Sequence, residues 1–584
     1  MPRRSNYDKS PFVAAGAAEE CSAGWEAIAA RLAPHLAQRR VLCVECYPGV
    51  FVRHAVRELC GHLQLLAIFL SEECLKTPQE LHALVDPVLG SDRVFGRMNG
   101  IGLADYFDAS RVEAMRTAVE HAAQQGPVMI IGTGAALVAP PDAAFVYADM
   151  ARWEIQLRWR RGEIGNLGLE NADEDAAAKY KCGFFVEWRA ADRVKKTLLP
   201  KIDFLLDTNQ PQAPKLIDGD AFRAALKQTA RQPFRVVPYF DPGPWGGHWM
   251  EEVCDLPRDV PNHAWCFDCV PEENSLLLGF GEHRVEVPAI DVVFSHPREL
   301  LGEPVHARFG TEFPIRFDFL DTMGGGNLSL QVHPLTEYIQ DKFGMNYTQD
   351  ESYYMLDAGE GATVYLGLKD NISGEEMIDD LVSAQEGGAE FPADKYVNRW
   401  PAKKHDHFLI PAGTIHCSGA ESMVLEISAT PYIFTFKLWD WGRLGLDGRP
   451  RPIHIDHGAA NIQWDRTTDW VKRELINRFE PVVEVMGRKE ERTGLHEREF
   501  IETRRHWFTG AVPHHTRGGV NVLNLVEGDE AIVESPSRAF EPFVVHYAET
   551  FIVPAAVGSY TIRPCGLSEG KQCATIKAYV RTGA

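Results

Sequence analysis

Residues 328–338 read LSLQVHPLTEY, a strand-like stretch that contains two metal-binding types of side chain. Its apolar residues alternate strictly and share one face of a strand, so Gln331 and His333 share the opposite face. Two side chains that can both ligate a metal therefore lie next to each other. They supply half of a metal site, and other segments must supply the rest.

The remaining candidates come from two later strand-like segments. His416 ends the run HFLIPAGTIH, in which proline and glycine make a turn that aims the following side chains inward. Glu351 begins ESYYMLDAG, a strand that can line the same cavity. With Gln331 and His333 they offer two imidazoles, a carboxylate and an amide oxygen, a set that suits Zn²⁺ with a position open for substrate or water. The alternative is a group of hydrogen-bonded core residues, since glutamine is an unusual ligand.

The length of the chain predicts several domains, and its charge argues against some classes of partner. With 584 residues the chain is too long for one hydrophobic core, and two to four domains are expected. A formal net charge of −22 argues against nucleic acid or an anionic membrane as partner, because both are polyanions. No apolar run reaches the roughly 18–20 residues of a membrane span, and no apolar stretch follows the basic amino-terminal residues. We expect a cytoplasmic protein and leave open whether it forms a homo-oligomer.

The twelve cysteines do not form the pattern of a disulfide framework in a chain of this length. Two Cys-x-x-Cys pairs, Cys43 with Cys46 and Cys266 with Cys269, lie in apolar, strand-like runs. Residues three apart on a strand face opposite sides, whereas zinc knuckles place such pairs on tight turns. We therefore predict buried free thiols.

The first 215 residues alternate between strand-like and helix-like segments. RRVLCVECY (39–47) and PVMIIGTGAAL (127–137) are short apolar runs, and the helical segment 110–126 begins with Ser110 and Glu113 as a capping box. This alternation predicts an α/β domain with a parallel sheet over residues 1–215. The Pro- and Gln-rich stretch TNQPQAPKLIDGD (208–220) is interpreted as a linker.

From about residue 235 the pattern changes to short strands separated by Gly, Pro and Asn turns. Helical stretches intervene at 371–386 and around 457–480. The pattern is typical of all-β barrels, and we predict a metal-binding barrel with a helical insertion over 235–480 and a second barrel over 481–584.

Two segments of the β region recur in the same order. DAGEGATVYL followed by HFLIPAGTIH returns as LVEGDEAIV followed by TFIVPAAVGSY. Matching Phe408 with Phe551 puts Ser559 in the place of His416, and matching the Glu-Gly turns puts Gly518 in the place of Glu351. The second barrel is therefore predicted to be metal-free and structural.

The motifs LSLQVHP, ESYYMLD, HFLIPAGTIH, VLEISAT and FTFKLWDWGR resemble, in this order, the signature segments of type I mannose-6-phosphate isomerases, which are double-cupin zinc enzymes. Upstream, GPWGGHWM (243–250) and FPIRFDFLDT (313–322) look like further parts of that family. The resemblance covers roughly residues 235–584. It implies that the four ligand candidates hold zinc, and that the substrate is a sugar phosphate, interconverted between mannose 6-phosphate and fructose 6-phosphate.

The resemblance also implies roles for two further residues. Glu426 in VLEIS matches an acid of the family's pocket and is the candidate base; the alternative is a strand carboxylate paired with a neighbour. Lys437 stands where the family has an arginine and is the candidate for holding a phosphate or oxyanion; the alternative is a surface salt bridge. His405 and His407 share one strand face that we expect to be exposed to solvent.

Two more departures from the family bear on function. Gln349 or Asp350 replaces a lysine that usually precedes the ligand glutamate, and GGGN (324–327) replaces another. These losses favour an alternative function, a metal-containing protein that binds or senses a sugar or sugar phosphate without isomerising it. A third hypothesis is an isomerase for an unphosphorylated or differently substituted sugar.

The amino-terminal third weakly resembles P-loop nucleoside or nucleotide kinases. Its strand–turn–helix segment has the layout of a phosphate-binding loop, but Val50, Phe51 and Val52 occupy the Gly, Lys and Ser/Thr positions. Without the lysine and the hydroxyl there is no triphosphate clamp, so we predict a degenerate nucleotide site. Four arginines of the later helical segment could still bind an anion, although a solvated helix face is expected: Arg152, Arg158, Arg160 and Arg161.

Overall fold

The computed structural model describes residues 5–429, 432, 434–494, 496 and 499–582. Contacts divide the chain into two compact units. Phe12–Thr229 together with Ser275–His296 forms the first, which we call the α/β unit. The rest of the described chain forms the second, which we call the barrel unit.

The strands and helices of the chain up to Ser295 belong mainly to the α/β unit. The strands are β1 (Phe12–Gly16), β2 (Cys21–Ala23), β3 (Val41–Cys46), β4 (Ala67–Leu70), β5 (Val128–Gly132), β6 (Ala144–Asp149), β7 (Phe204–Asp207), β8 (Lys215–Asp218), β9 (Tyr239–Asp241), β10 (Trp265–Cys269), β11 (Ser275–Phe280) and β12 (His283–Pro288). The helices are α1 (Trp25–Arg39), α2 (Val52–His62), α3 (Pro78–Leu89), α4 (Ala109–Gln125), α5 (Arg152–Arg160), α6 (Ala176–Cys182), α7 (Trp188–Leu198), α8 (Gly219–Thr229), α9 (Trp249–Val253) and α10 (Ile290–Ser295).

The α/β unit is built on a sheet with strand order β2-β8-β7-β6-β3-β5-β4. Strands β4, β5, β3, β6 and β7 run parallel to one another. Every residue of β3 and β5 is buried, as expected for parallel strands that are covered on both faces. The predicted parallel α/β sheet is confirmed. The likeness to P-loop kinases stays a prediction.

Three features of this unit differ from the sequence-based expectations. The proposed linker at 208–220 contains β8, and the unit continues through α8 to Thr229 and takes in Ser275–His296. Leu216 and Ile217 are fully buried, so this polar-looking stretch is part of the core. Helix α4 is capped by Asp108, whose carboxylate accepts hydrogen bonds from the first-turn amides, and not by Ser110.

The expectation of a solvated arginine face was wrong for two of the four arginines. Arg152 is buried and pairs with Asp192 at 2.6 Å. Arg158 is buried and donates to the carbonyl oxygen of Gly49 at 2.9 Å, in the loop after β3, and stacks on Phe51. Arg158 thus holds helix α5 to this loop and Arg152 holds it to helix α7, whereas Arg160 and Arg161 are exposed.

From Pro297 onwards the barrel unit consists mainly of short strands, with seven described α-helices. The further helices are α11 (Pro297–Leu301), α12 (Glu303–Phe309), α13 (Thr336–Phe343), α14 (Gly374–Gln385), α15 (Ala393–Tyr396), α16 (Ile455–Ala459) and α17 (Thr468–Glu474). The strands up to Trp439 are β13 (Arg316–Asp321), β14 (Leu330–Val332), β15 (Glu351–Ala358), β16 (Thr363–Leu368), β17 (Val397–Pro401), β18 (His407–Ile410), β19 (His416–Ser418), β20 (Ser422–Ser428) and β21 (Phe436–Trp439). The later strands are β22 (Glu480–Val485), β23 (Arg488–Arg492), β24 (Ile501–Phe508), β25 (Val512–His515), β26 (Asn521–Glu527), β27 (Glu530–Glu534), β28 (Phe543–His546), β29 (Thr550–Val553), β30 (Ser559–Pro564) and β31 (Cys573–Val580).

Two pairs of sheets form what we call the first and the second barrel. The first barrel has sheets β18-β15-β20-β13-β10-β9 and β17-β16-β19-β14-β21. The second has sheets β29-β26-β31-β24-β23-β22 and β28-β27-β30-β25, in the same connectivity. The internal repeat read from the sequence therefore corresponds to a repeated strand order, in which β18 matches β29 and β15 matches β26.

The remaining sequence expectations concern helices, thiols and membrane spans. The helical insertion corresponds to α14, α16 and α17. Cys43, Cys46, Cys266 and Cys269 are buried free thiols, as predicted. In the part of the chain that the structure describes, no helix combines the length and the apolar character that crossing a bilayer requires.

Candidate metal centre

The four ligand candidates converge inside the first barrel. Gln331 lies on β14, His333 follows that strand, and His416 begins β19 in the same sheet. Glu351 begins β15 in the other sheet. Their exposed fractions are 7% for Gln331, 1% for His333, 1% for Glu351 and 0% for His416, so all four side chains point into the interior between the sheets.

The ligand atoms are close enough to share one cation. Glu351 Oε1 lies 2.7 Å from His416 Nε2, and Glu351 Oε2 lies 3.2 Å from His333 Nε2. The Gln331 amide is 3.3 Å from His416 Nε2. Among the described residues, His333, Glu351 and His416 form the one His/Cys/Asp/Glu group in which all ligand atoms lie within 4.8 Å of one another.

Backbone carbonyls fix the orientation of both imidazoles. Nδ1 of His333 lies 2.9 Å from the Phe434 carbonyl oxygen, and Nδ1 of His416 lies 2.9 Å from the Thr414 carbonyl oxygen. An imidazole that donates from Nδ1 carries its free lone pair on Nε2. Both Nε2 atoms face Glu351, which is the arrangement of metal-ligating histidines held by a hydrogen bond on the other nitrogen.

The electrostatics of the group fit the binding of a cation. Burial opposes ionisation of Glu351, but the two histidines hold its pKa well below the ordinary value. For His333 burial also disfavours the charge, and the Glu351 carboxylate raises its pKa. Within the described structure, His333 Nε2 and Glu351 Oε1 are buried and have no hydrogen bond outside this group. A cation that binds oxygen and nitrogen ligands accounts for this inward-facing arrangement.

Cross-strand pairing places two rows of polar side chains beside this group. Glu351 pairs with Ser428, which pairs with Arg316. Two residues further along β15, Tyr353 pairs with Glu426, which pairs with Asp318. Directly paired residues share a face of the sheet, so both rows face the interior.

Glu426 is buried and lies within reach of the candidate metal ligands. Burial raises its pKa well above the ordinary value, and the charges of Glu351 and Asp318 raise it further. The Gln349 amide nitrogen donates to Glu351 Oε2 at 3.1 Å and to Glu426 Oε1 at 3.3 Å. The amide oxygen of Gln349 accepts from the Phe434 amide at 2.8 Å, which fixes the orientation of this bridge. Gln349 thus couples the two carboxylates.

Lys437 lies across from the carboxylates on the opposite sheet. Gln331 pairs with His416 on one side and with Lys437 on the other, so the three side chains share one face. Lys437 is half-buried, and burial together with the nearby Arg451 lowers its pKa to about 7, against the opposing charge of Asp440. The structure therefore places Lys437 on the inner side of the barrel.

Sequence reasoning missed two charged residues of this interior. Arg316 is buried, forms an ion pair with Asp318, and has both terminal nitrogens without a hydrogen bond in the described chain. The signal was present in IRFDFL, where charged residues alternate with apolar ones on a strand. Alternation alone does not tell which face lies inside, because the strand pairing is needed for that.

The expectation that His405 and His407 face solvent was wrong for His407. His407 is fully buried, and its Nδ1 lies 3.2 Å from the Thr493 carbonyl oxygen. His405 is partly buried and lies 3.2 Å from the Glu527 carboxylate. Neither belongs to the candidate metal group.

Comparison with known proteins adds information about both parts of the chain. Residues 24–231 match a family model described as a domain of unknown function (DUF8485). The mannose-6-phosphate isomerase of Streptococcus mutans is 27% identical over 214 residues, which are 36% of this chain and 62% of that protein. The mannose-6-phosphate isomerase ManA of Bacillus subtilis is 24% identical over 238 residues, which are 40% of this chain and 68% of that protein.

A solved structure matches the barrel architecture. The mannose 6-phosphate isomerase from Bacillus subtilis superposes with a TM-score of 0.50 at 18% identity, covering 60% of this chain and all of that one. At this identity the likeness concerns the fold. The two sequence relatives are mannose-6-phosphate isomerases, and they match 36–40% of this chain. The fold of one such enzyme matches 60% of this chain.

Proposed function

We propose that this chain is a metal-dependent aldose–ketose isomerase that acts on a phosphorylated sugar. The observation that carries the proposal is the convergence of Gln331, His333, Glu351 and His416 beside a buried carboxyl group, Glu426, inside the first barrel. The names of the sequence relatives favour mannose 6-phosphate and fructose 6-phosphate as the two sugars.

The four ligand candidates would hold a zinc ion. Two imidazoles, a carboxylate and an amide oxygen are ligands that zinc accepts, and four protein ligands can be joined by substrate or water when coordination expands. A divalent cation bound there acts as a Lewis acid towards the carbonyl and hydroxyl oxygens of a sugar, and it offsets the charge of Glu351.

Glu426 is the proposed proton carrier. Isomerisation moves a proton between C1 and C2 of the open-chain sugar through an enediol, and a carboxylate oxygen beside these carbons can accept and return it. Gln349 holds Oε1 of Glu426 at a fixed place relative to Glu351. The buried position of Glu426 keeps water away from the transferred proton.

Lys437 and Arg316 are the proposed contacts for negative charge. Lys437 shares the inner face with Gln331 and His416, and Arg316 offers two buried nitrogens that lack a hydrogen bond in the described chain. Phosphate and developing oxyanions are bound by such cations. Arg316 offers the planar fork that Lys437 lacks.

The test is a coupled assay for fructose 6-phosphate formed from mannose 6-phosphate. The proposal predicts turnover that is lost after dialysis against EDTA and restored by zinc. Turnover that is insensitive to chelation, with full metal removal shown by elemental analysis, contradicts it. A panel of unphosphorylated aldoses in deuterated water, followed by exchange at C2, tests the substrate class.

One observation favours a second candidate, a sugar-phosphate sensor that binds without turnover. Gln349 or Asp350 replaces a lysine that the resemblance leads one to expect, and it is the neutral Gln349 amide that donates to both Glu351 and Glu426. Tight binding of mannose 6-phosphate by the zinc-loaded protein without formation of product supports this alternative.

A further inference from the structure

The second barrel contains a large cavity that is lined by charged side chains. Its volume is about 910 Å³, which is within the range of small-molecule sites. It opens between β23, β24, β31 and the strands β25 and β26. The mouth of a barrel is a common place for a small-molecule site.

The cavity occupies the same place in the fold as the metal centre of the first barrel. With Phe551 matched to Phe408, the strand ladders put Lys577 where Glu426 lies and Arg504 where Asp318 lies. Asn521 takes the place of Glu351. Two interior positions that carry carboxylates in the first barrel therefore carry cations in the second, and a third carries a neutral amide.

The charge of the lining is strongly positive in a protein whose formal net charge is −22. Two carboxylates, Glu490 and Glu502, line the cavity and both bind Arg504, at 2.8 Å and 2.7 Å. The cationic side chains outnumber them and are Arg488, Arg492, Arg504, Arg517, Lys577 and Arg581. With neutral histidines this leaves an excess of four positive charges.

Several buried polar atoms of the lining have no hydrogen bond in the described chain. They include Nδ1 of His506 and Nε2 of His514, whose rings lie 4.5 Å apart, and Nε of Arg488. Lys577 is 92% buried, and burial lowers its pKa to about 8. Buried polar groups are normally paired, and a cluster of unpaired ones around a cavity indicates a ligand.

The interior of the same barrel beyond the cavity is filled by apolar side chains. Phe508, Leu523, Leu525, Phe551 and Cys573 pack in one buried cluster. Along β24 the inward residues change from Glu502, Arg504 and His506 to Phe508, so the polar part is confined to one end. A barrel that needed only a structural core could have filled this end with apolar side chains too.

We propose that this cavity is a binding site for a small, multiply charged anion, with phosphate groups held by Lys577, Arg504 and Arg517. A sugar bisphosphate or another phosphorylated metabolite has the required charge, and the cavity volume accommodates more than the phosphates. The site lies apart from the metal centre and does not rest on the proposed isomerase activity. It makes the second barrel a ligand-binding or effector domain.

The test is calorimetric titration of inorganic pyrophosphate into the full-length protein after dialysis against EDTA, which removes metal that pyrophosphate would chelate. We expect saturable binding that weakens at high salt. Lys577→Met should weaken it at least about tenfold, because a charge-assisted contact is lost. Lys571→Met, which removes an exposed lysine elsewhere on the same barrel, should leave it unchanged.

Arg517→Gln provides a second variant at an exposed position and keeps the test valid if Lys577→Met does not fold. It should weaken binding about tenfold as well. Citrate and mannose 6-phosphate, titrated in parallel, distinguish a site for carboxylates or single phosphates from one for paired phosphates. Absence of binding of pyrophosphate, or equal binding by Lys577→Met, Arg517→Gln and Lys571→Met, would overturn the proposal.

Discussion

The two barrels share a strand order and differ in what their inward-facing positions carry. In the first, Glu351, Glu426 and Asp318 stand on neighbouring strands, and two histidines face Glu351. In the second, the matching positions hold Asn521, Lys577 and Arg504. The same strand order thus carries the proposed cation site in one copy and a cationic cavity in the other. The difference shows that chemistry in this architecture is decided by a few inward residues on the middle strands.

The largest expected effect comes from removing the proposed proton carrier of the first barrel. Glu426→Gln keeps the shape of the side chain and abolishes its role as base, so kcat should fall about 10²–10⁴-fold while bound zinc is unchanged. Steady-state kinetics and elemental analysis measure the two quantities. Asp321→Asn is the control, because this buried carboxylate caps backbone amides of the same barrel. An equal loss of kcat in both variants would mean that Glu426 acts through stability.

A second prediction is that a substitution in the apolar cluster of the second barrel changes stability without changing the zinc content. Phe551 is fully buried in the apolar cluster, and Phe551→Ala should lower the free energy of unfolding by about 3–5 kcal/mol. Urea unfolding measures this. Bound zinc per folded chain should stay the same, since the cluster belongs to the second barrel and none of the four ligand candidates is among its described members. Phe408→Ala, the matched change in the first barrel, lies next to Tyr353 and should affect both quantities.

The smallest effect concerns Lys437 on the inner face of the first barrel. Lys437→Met should raise KM for the sugar phosphate about tenfold with a smaller change in kcat, because a charged contact to the bound substrate is lost. Lys437→Arg should retain most of the affinity. Lys395→Met, at an exposed lysine paired with Glu376, is the control. An unchanged KM in Lys437→Met would show that the phosphate is bound elsewhere, with Arg316 as the next candidate.

The repeat and the inward face of Gln331 and His333 could be predicted from the sequence because both depend on local patterns. Gln331 and His333 alternate with apolar residues, and the Val/Ile-Pro-Ala turns recur in order. That the side chains of Arg316 and Asp318 point into the barrel could not be predicted, because their orientation depends on the pairing of β13 with β20, about a hundred residues away.

Counting along the chain also misplaced the counterpart of one ligand candidate, Glu351. Asn521, and not Gly518, matches Glu351, because the strand ladders and not the turns set the correspondence. Ser559, expected in the place of His416, is exposed at the start of β30, after a helical turn at Ala555–Val557. Insertions in turns do not show in a motif match. Likewise, the burial of Arg158 depends on carbonyl groups of Thr208 and Asn209, far along the chain.

The most direct test of the account is the metal content of the purified full-length protein, compared with two histidine variants of the first barrel. His416→Ala removes a proposed ligand, and His407→Ala removes an equally buried histidine that lies outside the group. We predict about one zinc per chain in the unchanged protein and in His407→Ala, and none in His416→Ala. Equal zinc in His416→Ala and His407→Ala, with both folded, would contradict the four-ligand centre on which the proposed activity depends.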